Sequence, residues 1–408
     1  MIFDTIIIGG GISGLYTNLE LCNQRDKTLL LEMSPVFGGR IYQYEDNEVS
    51  FPAGAARFNK NHKRVIKLLK RFNLLDFRKD NGSPSNIDFI DSKKHFHPKY
   101  RNKTGFEYIK KILRIVETSR HPDLLRKYTF QEYASKYLDK DDVDFLLVAS
   151  GYSGQLKQMN MFDAYNLFKY GIRDDIRFYS GYFQHLVSSI VQELKNKGAR
   201  MLLNSRVTDV VLDDINECYL VQYNNISRRA KRVVFALPQP ALLKIKLLNP
   251  IHSILRGAIN CKTLCRVYAK FKPEDIWFKD INKTVTNNPL RYIIPMDREH
   301  GTIMISYTDD IYCEYWKKRQ NNQSKLKKSV VELVKKTFNE TISEPEKVWV
   351  FYWECGVGYW NKGVNSTKVS NFVANPMENL YICGENYSLE QSWVEGALES
   401  CERILKIM

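Results

Sequence analysis

The chain has 408 residues, of which 44% are hydrophobic, and its 61 lysines and arginines exceed its 46 acidic residues, for a formal net charge of +15. Since a single hydrophobic core stops growing at roughly 250–300 residues, this length predicts two or more folding units. The composition excludes a disordered chain, a collagen-like repeat and a disulfide-stapled mini-protein. No apolar run approaches the about 20 residues that span a bilayer, and no charged leader precedes the first strand. We therefore expect a cytoplasmic protein.

The predicted elements begin with a βαβ unit. A continuously apolar strand over 2–8 leads into a glycine-rich turn, a helix and a second strand over 27–31, as in a buried parallel sheet. Helices are predicted over 61–75, 181–197 and 394–406, and the stretch of about 103–173 is mostly helical. Further strands are predicted over 200–204, 207–212, 232–237, 264–271, 292–295, 302–307, 346–354 and 380–383.

This order predicts an α/β fold with a discontinuous Rossmann-like nucleotide domain, interrupted by a substrate domain. The nucleotide domain is expected over 1–75, 178–240 and 366–408. The substrate domain, over 76–177 and 241–365, is expected to combine a mixed sheet with a helical part at about 103–173.

Basic residues are dense over 228–232 and 317–336. The second stretch has Leu326, Val330 and Leu333 at helical spacing, which favours an amphipathic helix whose lysines face solvent. A nucleic acid or an anionic surface stays open as a partner, since the pI is about 9.2, and so does a homodimer. The eight cysteines are scattered without a CxxC pair, so we expect mostly reduced, buried thiols and no metal site.

Gly9, Gly11 and Gly14 form a GxGxxG pattern between the first strand and the first helix, and Glu32 ends the second strand. Such glycines permit a tight turn and let the backbone approach a pyrophosphate at the helix N-terminus. The acidic residue accepts hydrogen bonds from a ribose. The pattern predicts dinucleotide binding.

The stretch from Glu32 to Gly38-Gly39-Arg40 resembles the second FAD signature of the flavin-containing amine oxidoreductase family. The resemblance runs along the whole chain, through 51–57, 181–210, 233–238, Cys383-Gly384-Glu385 and 391–397. It implies FAD as the cofactor. It also implies a phosphate contact for Arg40, a ribityl contact for Glu385, a backbone contact to adenine at Val207 and flavin-ring contacts at 392–397. The cofactor-binding residues expected on this basis are Gly9, Gly11, Ile12, Ser13, Gly14, Glu32, Met33, Gly39, Arg40, Gly54, Ala55, Ala56, Arg57, Val207, Gly384, Glu385, Ser392, Trp393, Val394 and Ala397.

Three features are similar to the L-amino-acid oxidase branch of that family. Arg57 stands where that branch binds the substrate carboxylate, Tyr292 where a tyrosine assists the arginine, and Ser392-Trp393 resembles its Gly-Trp pair beside the flavin. The resemblance implies that these four residues contact substrate, with Tyr292 and Trp393 also catalytic. The alternatives are a charge-paired or surface role for Arg57 and core packing for Trp393.

Arg266 and two other positions depart from the family pattern. Five residues before Phe271, where the family has a lysine that holds a water at flavin N5, this chain has Arg266, so we expect a purely electrostatic catalytic role there. Gly356 stands where monoamine oxidases have a tyrosine. Cys355 aligns with the cysteine that carries covalent flavin in those enzymes, but its differing neighbours favour an ordinary buried thiol.

The resemblance implies oxidation of an amine or L-amino acid by hydride transfer to flavin, imine hydrolysis, and reoxidation by oxygen with formation of hydrogen peroxide. No membrane-anchoring tail like that of monoamine oxidases is expected. Two alternatives stay open. One is a redox-neutral flavoenzyme similar to the sugar mutases, which share the N-terminal motifs; the other is a flavin-stabilised binding protein with a basic surface.

Overall fold

The structure is a computed structural model that describes residues 2–23, 26–78, 87–118, 121–171, 176–213, 215 and 217–408. The chain divides into two compact units. The first comprises Met1–Asn81, Arg177–Cys261 and Val357–Met408, and the second comprises Gly82–Ile176 and Lys262–Gly356. The finer domain boundaries predicted from the sequence stay a prediction.

The strands of the described residues are, in chain order, β1 Ile2–Ile8, β2 Thr28–Leu31, β3 Gln43–Glu45, β4 Ser50–Pro52, β5 Arg57–Asn59, β6 Asp88–Ile90, β7 Phe178–Ser180, β8 Arg200–Leu202, β9 Val207–Asp213, β10 Cys218–Tyr223, β11 Ile226–Phe235, β12 Ile259–Lys270, β13 Thr284–Thr286, β14 Tyr292–Asp297, β15 Thr302–Asp309, β16 Lys347–Trp360 and β17 Leu380–Ile382.

The α-helices of the same residues are α1 Ile12–Asn23, α2 Lys63–Arg71, α3 Gly105–Glu117, α4 Pro122–Arg126, α5 Phe130–Ala134, α6 Lys140–Ala149, α7 Gly154–Gln158, α8 Met161–Gly171, α9 Phe183–Asn196, α10 Gln239–Leu242, α11 His252–Ala258, α12 Ile311–Lys317, α13 Gln323–Phe338, α14 Ser366–Ala374 and α15 Val394–Leu405. Short 3₁₀ helices occur at Pro98–Tyr100, Lys246–Ile251, Pro273–Asp275 and Glu385–Tyr387.

The first unit contains a Rossmann-like sheet in the order β8-β2-β1-β11. These four strands are parallel, and β17 adds in parallel to the end of β11. Ile6 and Ile7 of β1 are fully buried, because helices cover both faces of a parallel sheet. Helices α1, α9 and α15 pack together in the core of this unit.

The second sheet is mixed, in the order β16-β12-β15-β14-β13-β6. Its core contains Val267 of β12 and Ile305 of β15, together with Leu326 and Val330 of α13, and all four side chains are fully buried. Helices α3 to α8 belong to this unit, which matches the predicted helical part. The predicted α/β class, with one Rossmann-like and one mixed sheet, is confirmed.

Strand β10 was not predicted from the sequence, whereas helix α13 was. The basic run 228–232 belongs to β11, which forms an antiparallel hairpin with the unpredicted strand β10. The amphipathic helix expected within 317–336 is confirmed as α13, in which Leu326 and Val330 are buried. The helix begins after the N-cap residue Asn322, whose side chain accepts a hydrogen bond from the Lys325 amide at 2.9 Å. Asparagine is among the best residues at that position.

Candidate active site

The glycine turn between β1 and α1 permits a close approach to its backbone. Gly9 has a φ of +109°, and a Cβ on Gly14 would lie 1.9 Å from the carbonyl oxygen of Gly9, so neither position accepts a side chain. A Cβ on Gly11 would make only ordinary van der Waals contacts, the nearest with the Gly38 carbonyl oxygen and the Gly39 Cα at 3.9 Å. Ile12 and Ser13 are buried at the start of α1. Backbone amides and the positive end of a helix dipole suit a phosphate at this place.

Glu32 connects the end of β2 to that turn. Its Oε2 accepts a hydrogen bond from the Gly10 amide at 2.7 Å, and its Oε1 accepts one from the Ser34 amide at 2.7 Å. The Ser205 amide donates to the carbonyl oxygen of Glu32 at 2.8 Å, which brings the residues just before Val207 to the same strand end. The exposed side chain of Met33 follows. A carboxylate has further lone pairs, so ribose binding by Glu32 and adenine binding at Val207 stay predictions.

Arg40 and Glu385 bind each other, with Arg40 Nη1 2.8 Å from Glu385 Oε2. Glu385 is buried, and it also accepts hydrogen bonds from Asn386 Nδ2 at 2.8 Å and from the amides of Gly358 at 3.1 Å and Ser392 at 2.7 Å. Four donors therefore surround this carboxylate. Glu385 orders the loop that bears Ser392, and the predicted phosphate and ribityl contacts of this pair stay predictions.

The segment 54–56, which precedes Arg57, lies in close contact with the backbone at Arg40. A Cβ on Gly54 would lie 2.1 Å from the Arg40 carbonyl oxygen, and the Ala55 amide donates to that oxygen at 2.9 Å. Only glycine fits at position 54, and this contact directs Ala55 and Ala56 into β5, which begins at Arg57. The glycines of the other turns, Gly39 at φ +59° and Gly384 at φ +136°, have left-handed backbones.

A contiguous row of four side chains, called here the Arg57 stack, contains Arg57, Phe178, Trp393 and His62. The Cζ of Arg57 lies 5.6 Å from the Phe178 ring centroid. The Phe178 and Trp393 rings stack at 5.4 Å with 10° between their planes, and the His62 ring lies 4.8 Å from Trp393. Arg57 is half-buried, and no carboxylate pairs with it among the residues that the structure describes.

His62 adds a neutral ring to this stack. Burial lowers the pKa of His62 from 6.5 to about 3, because an apolar environment disfavours the charged form. Its Nδ1 accepts a hydrogen bond from the Asn59 amide at 3.4 Å. The Arg57 stack therefore contains one cation.

Ser392 lies at the entrance to α15 with a left-handed φ of +74°. Its amide is held by Glu385, but its buried Oγ has no hydrogen-bond partner in the described part of the chain. Buried hydroxyls are nearly always hydrogen-bonded, so this oxygen indicates a place for a ligand atom. Val394 and Ala397 are buried in the first turns of α15.

The second unit contains a different constellation, called here the tyrosine face. Arg266 of β12 is the strand partner of Tyr307 of β15, and its Cζ lies 4.6 Å from the Tyr307 ring centroid. Tyr292 of β14 is the partner of Tyr307 on its other side. The Tyr152 ring packs edge-on against Tyr292 at 5.8 Å and Tyr307 at 5.0 Å.

Arg266 points away from the apolar core of its unit. Its neighbours Cys265 and Val267 belong to that core, and alternate residues of a strand point to opposite faces. Arg266 is only 8% exposed. Burial by itself lowers the pKa of its guanidinium, but the surrounding tyrosine oxygens outweigh burial and raise the pKa above its ordinary value. Arg266 is a permanent cation, and its predicted role beside flavin N5 stays a prediction, as does the help of Tyr292 to Arg57.

The sulfur chemistry of the chain differs from the prediction in part. Six cysteines are free within the described residues, as expected, but Cys261 and Cys355 are disulfide-bonded. The predicted free thiol at Cys355 was therefore wrong, because the scattered cysteines of the sequence have no short spacing that could reveal a disulfide. A bonded sulfur also cannot hold a flavin. At Gly356, a Cβ would lie 2.6 Å from Leu264 Cγ, which explains why no aromatic residue stands there.

The basic run on β11 is largely neutralised by acidic neighbours. The ion pairs are Arg229–Asp213 at 3.5 Å, Lys231–Asp4 at 2.8 Å, and Arg232–Asp26. These pairs reduce the net positive charge that this run presents. Among the described residues, no helix is both long and apolar enough to cross a membrane.

His62 and Phe178 were missed by the sequence analysis. Phe178 stacks on Trp393 from a strand more than two hundred residues earlier in the chain, and nothing in its local sequence signals that contact. His62 offered a weak signal, since it is a polar residue at the start of a predicted helix, five residues after Arg57.

Comparison with known proteins gives a consistent result. The chain matches the profile of the family described as flavin containing amine oxidoreductase over residues 12–404. It is similar to an uncharacterized protein of Acanthamoeba polyphaga mimivirus, with 22% identity over 98% of this chain and 93% of that protein. A double mutant of putrescine oxidase has a similar fold, with a TM-score of 0.80, 15% identity and coverage of 100% of this chain and 99% of that one. Cyclohexylamine oxidase from Brevibacterium oxydans is similar at a TM-score of 0.75, 15% identity and the same coverage.

Proposed function

The chain belongs to the flavin-containing amine oxidoreductase family and is an FAD-dependent amine oxidase, and on this premise we propose that it oxidises an L-amino acid whose carboxylate binds Arg57. Hydrogen peroxide is the proposed second product. The observation that most supports this substrate is the state of Arg57: it is half-buried over Phe178 and has no carboxylate partner among the described residues.

The residues of the first unit fit FAD. The turn at Gly9 and Gly14 has no room for side chains, and the buried Oγ of Ser392 lacks a hydrogen-bond partner among the described residues. The residues that would hold the cofactor are the turn glycines, Glu32, and the loop of Ser392. When bound, FAD supplies two-electron redox chemistry that no side chain of the protein offers.

Arg57 is suited to binding a carboxylate. A guanidinium is planar, permanently charged and able to donate two parallel hydrogen bonds to one carboxylate. Phe178 holds one face of this group and excludes water from it, which strengthens a charge-assisted hydrogen bond. His62 is neutral, so it does not compete for the carboxylate.

An amine without a carboxylate is the second candidate. The two solved structures of similar fold are named for putrescine and cyclohexylamine, and neither of these compounds is an acid. On this alternative, Arg57 would contact the cofactor or the surface rather than the substrate.

Oxygen uptake distinguishes the two candidates. The FAD-loaded protein would be assayed with L-amino acids and with the amine that each yields on decarboxylation, while peroxide is measured in the same samples. We expect uptake with at least one amino acid, one peroxide per oxygen consumed, and weaker uptake with the matching amine. Turnover of amines alone would contradict the amino-acid proposal, and oxygen uptake without peroxide would contradict the proposed product.

A further inference from the structure

The residue that precedes helix α2 does not cap it with its side chain. His62 is at the N-cap position but makes no side-chain hydrogen bond to the helix. The first amides of a helix need partners from outside it. Here they bind a residue distant in sequence: Glu395 Oε1 accepts from the Arg64 amide at 2.9 Å, and Glu395 Oε2 accepts from the Val65 amide at 2.9 Å.

Glu395 lies in the first turn of α15, two residues after Trp393, and only 2% of it is exposed. One buried carboxylate therefore ties the start of α2 to the start of α15. Negative charge at a helix N-terminus is also favourable for the helix dipole. The two tied ends bear the two rings that meet in the Arg57 stack, His62 and Trp393.

The imidazole of His62 can contact Trp393 because Glu395, rather than His62, caps α2. Had the side chain of residue 62 bound the α2 amides, its ring would point toward the helix. Because Glu395 accepts the hydrogen bonds of these amides, the His62 ring lies against Trp393 instead, with 4.8 Å between the ring centroids.

We propose that Glu395 is a positioning residue of the substrate site, which holds His62 against Trp393 through the α2 amides and thereby sets the geometry of the Arg57 stack. The proposal rests on the proposed function only in that Trp393 and Arg57 contact substrate.

Arg64 offers a competing explanation that can be tested. Its guanidinium pairs with Glu395 at 3.2 Å, with Glu390 at 3.1 Å and with Glu402 at 2.9 Å. If Glu395 mattered only as a partner of Arg64, loss of Glu402 would have a comparable effect. Glu402 makes the shorter contact to the guanidinium, and the α2 amides bind Glu395 rather than Glu402, so Glu402→Gln is the matched control.

The first measurement uses the protein without FAD. The emission of Trp393 is obtained as the difference between each protein and the same protein with Trp393→Phe, because the chain has 6 tryptophans. Glu395→Gln places an amide NH₂ where two helix amides need an acceptor, so we expect the Trp393 emission to shift. Glu402→Gln should leave it unchanged.

The second measurement uses the FAD-loaded protein and its substrate. A misplacement of about 1 Å at a binding site can cost up to about 100-fold, and we expect Glu395→Gln to raise KM by about tenfold while Glu402→Gln changes it less than about twofold. Glu395→Asp keeps the carboxylate, so its Trp393 emission and its KM should lie between those of Glu395→Gln and the wild type. It serves as the test if Glu395→Gln does not fold.

Equal effects of Glu395→Gln and Glu402→Gln, or an unchanged Trp393 emission in folded Glu395→Gln, would overturn the proposal. Failure of both Glu395 variants to fold would also overturn it, since the role would then be stability alone. A wild-type protein that turns over no amino acid would contradict the proposed function, whereas the emission of the FAD-free protein would still decide the role of Glu395.

Discussion

The Arg57 stack and the tyrosine face each place an arginine among aromatic rings, but the two arginines differ in environment. Arg57 is half-buried on the flat side of Phe178, and no carboxylate pairs with it in the described residues. Arg266 is almost fully buried and lies against Tyr307, surrounded by tyrosine oxygens. A half-buried guanidinium with one stacked face can still bind an anion with its edge, whereas a buried one surrounded by hydroxyl groups acts mainly through its charge. The burial and the neighbours of an arginine, rather than its residue type, indicate whether it can bind a substrate carboxylate.

The largest expected effect comes from Arg57→Ala. Loss of a buried charge-assisted pair costs about 2–5 kcal/mol, so we expect kcat/KM for an L-amino acid to fall by roughly 30-fold or more, at about tenfold for each 1.36 kcal/mol. Arg57→Lys should also lose activity, since an ammonium cannot form the two parallel hydrogen bonds. Steady-state kinetics with an amino acid and with its decarboxylated amine test this. Unchanged turnover of the amino acid by Arg57→Ala would remove Arg57 from the substrate site.

The neutral ring of His62 predicts that the free energy of unfolding depends on pH. The pKa of His62 is about 3 in the folded protein and 6.5 ordinarily, so above about pH 6.5 the ring is neutral in both states and contributes nothing. As pH falls below that value, the unfolded chain binds a proton that the folded chain does not. The free energy of unfolding then falls by up to about 1.4 kcal/mol per pH unit, down to about pH 3.

Urea unfolding at pH 7 and pH 5 measures this contribution. The wild type should lose about 2 kcal/mol more than His62→Phe between these pH values, since the phenyl ring can stack on Trp393 but does not titrate. Other groups titrate equally in both proteins, so the difference isolates His62. Parallel losses in the two proteins would show that His62 is protonated or exposed in the folded state.

Arg266 is expected to act on the reaction with oxygen rather than on substrate binding. Removing its charge with Arg266→Met should slow the oxidation of the reduced enzyme by oxygen roughly tenfold, about 1.4 kcal/mol, and slow anaerobic reduction less. Arg266→Lys keeps a cation and should retain or raise the rate. Stopped-flow measurement of both half-reactions tests this, and an unchanged reoxidation rate in Arg266→Met would show that Arg266 does not act on that step.

The smallest expected effect concerns the ring beneath Arg266. Tyr307→Phe keeps the cation–π contact and loses only the hydroxyl, so we expect the free energy of unfolding to fall by about 1 kcal/mol. Tyr307→Ala removes the half-buried ring as well and should cost more, since the cation–π contact with Arg266 is then lost. Urea unfolding of both variants separates these contributions. Equal losses would mean that the hydroxyl, not the ring, stabilises Arg266.

The sequence allowed the fold class and the glycine turn to be predicted because both depend on local patterns. The strand over 2–8, the turn at Gly9 to Gly14 and the acid at Glu32 lie within one βαβ unit, where spacing has a direct structural meaning. The alternation of β12 placed Arg266 on a strand, although its face required knowledge of which side holds the core.

The remaining site features depend on contacts between distant segments. Phe178 meets Trp393, and Glu395 caps α2, across more than two hundred residues of chain. The pairing of Arg40 with Glu385 is equally remote, so two residues that the sequence assigned to separate contacts with the cofactor also bind each other. Such contacts depend on tertiary packing, and no local spacing rule can reveal them.

Anaerobic reduction by an L-amino acid in the Arg57→Ala and Arg266→Met variants compares the two arginines most directly. Flavin absorbance is followed after rapid mixing, over a range of amino-acid concentrations, in both variants and the wild type. We expect Arg57→Ala to need roughly 30-fold or more amino acid for half-maximal reduction, whereas Arg266→Met should stay close to the wild type. Wild-type behaviour in Arg57→Ala combined with loss of reduction in Arg266→Met would contradict this expectation, and would assign the substrate carboxylate to the tyrosine face.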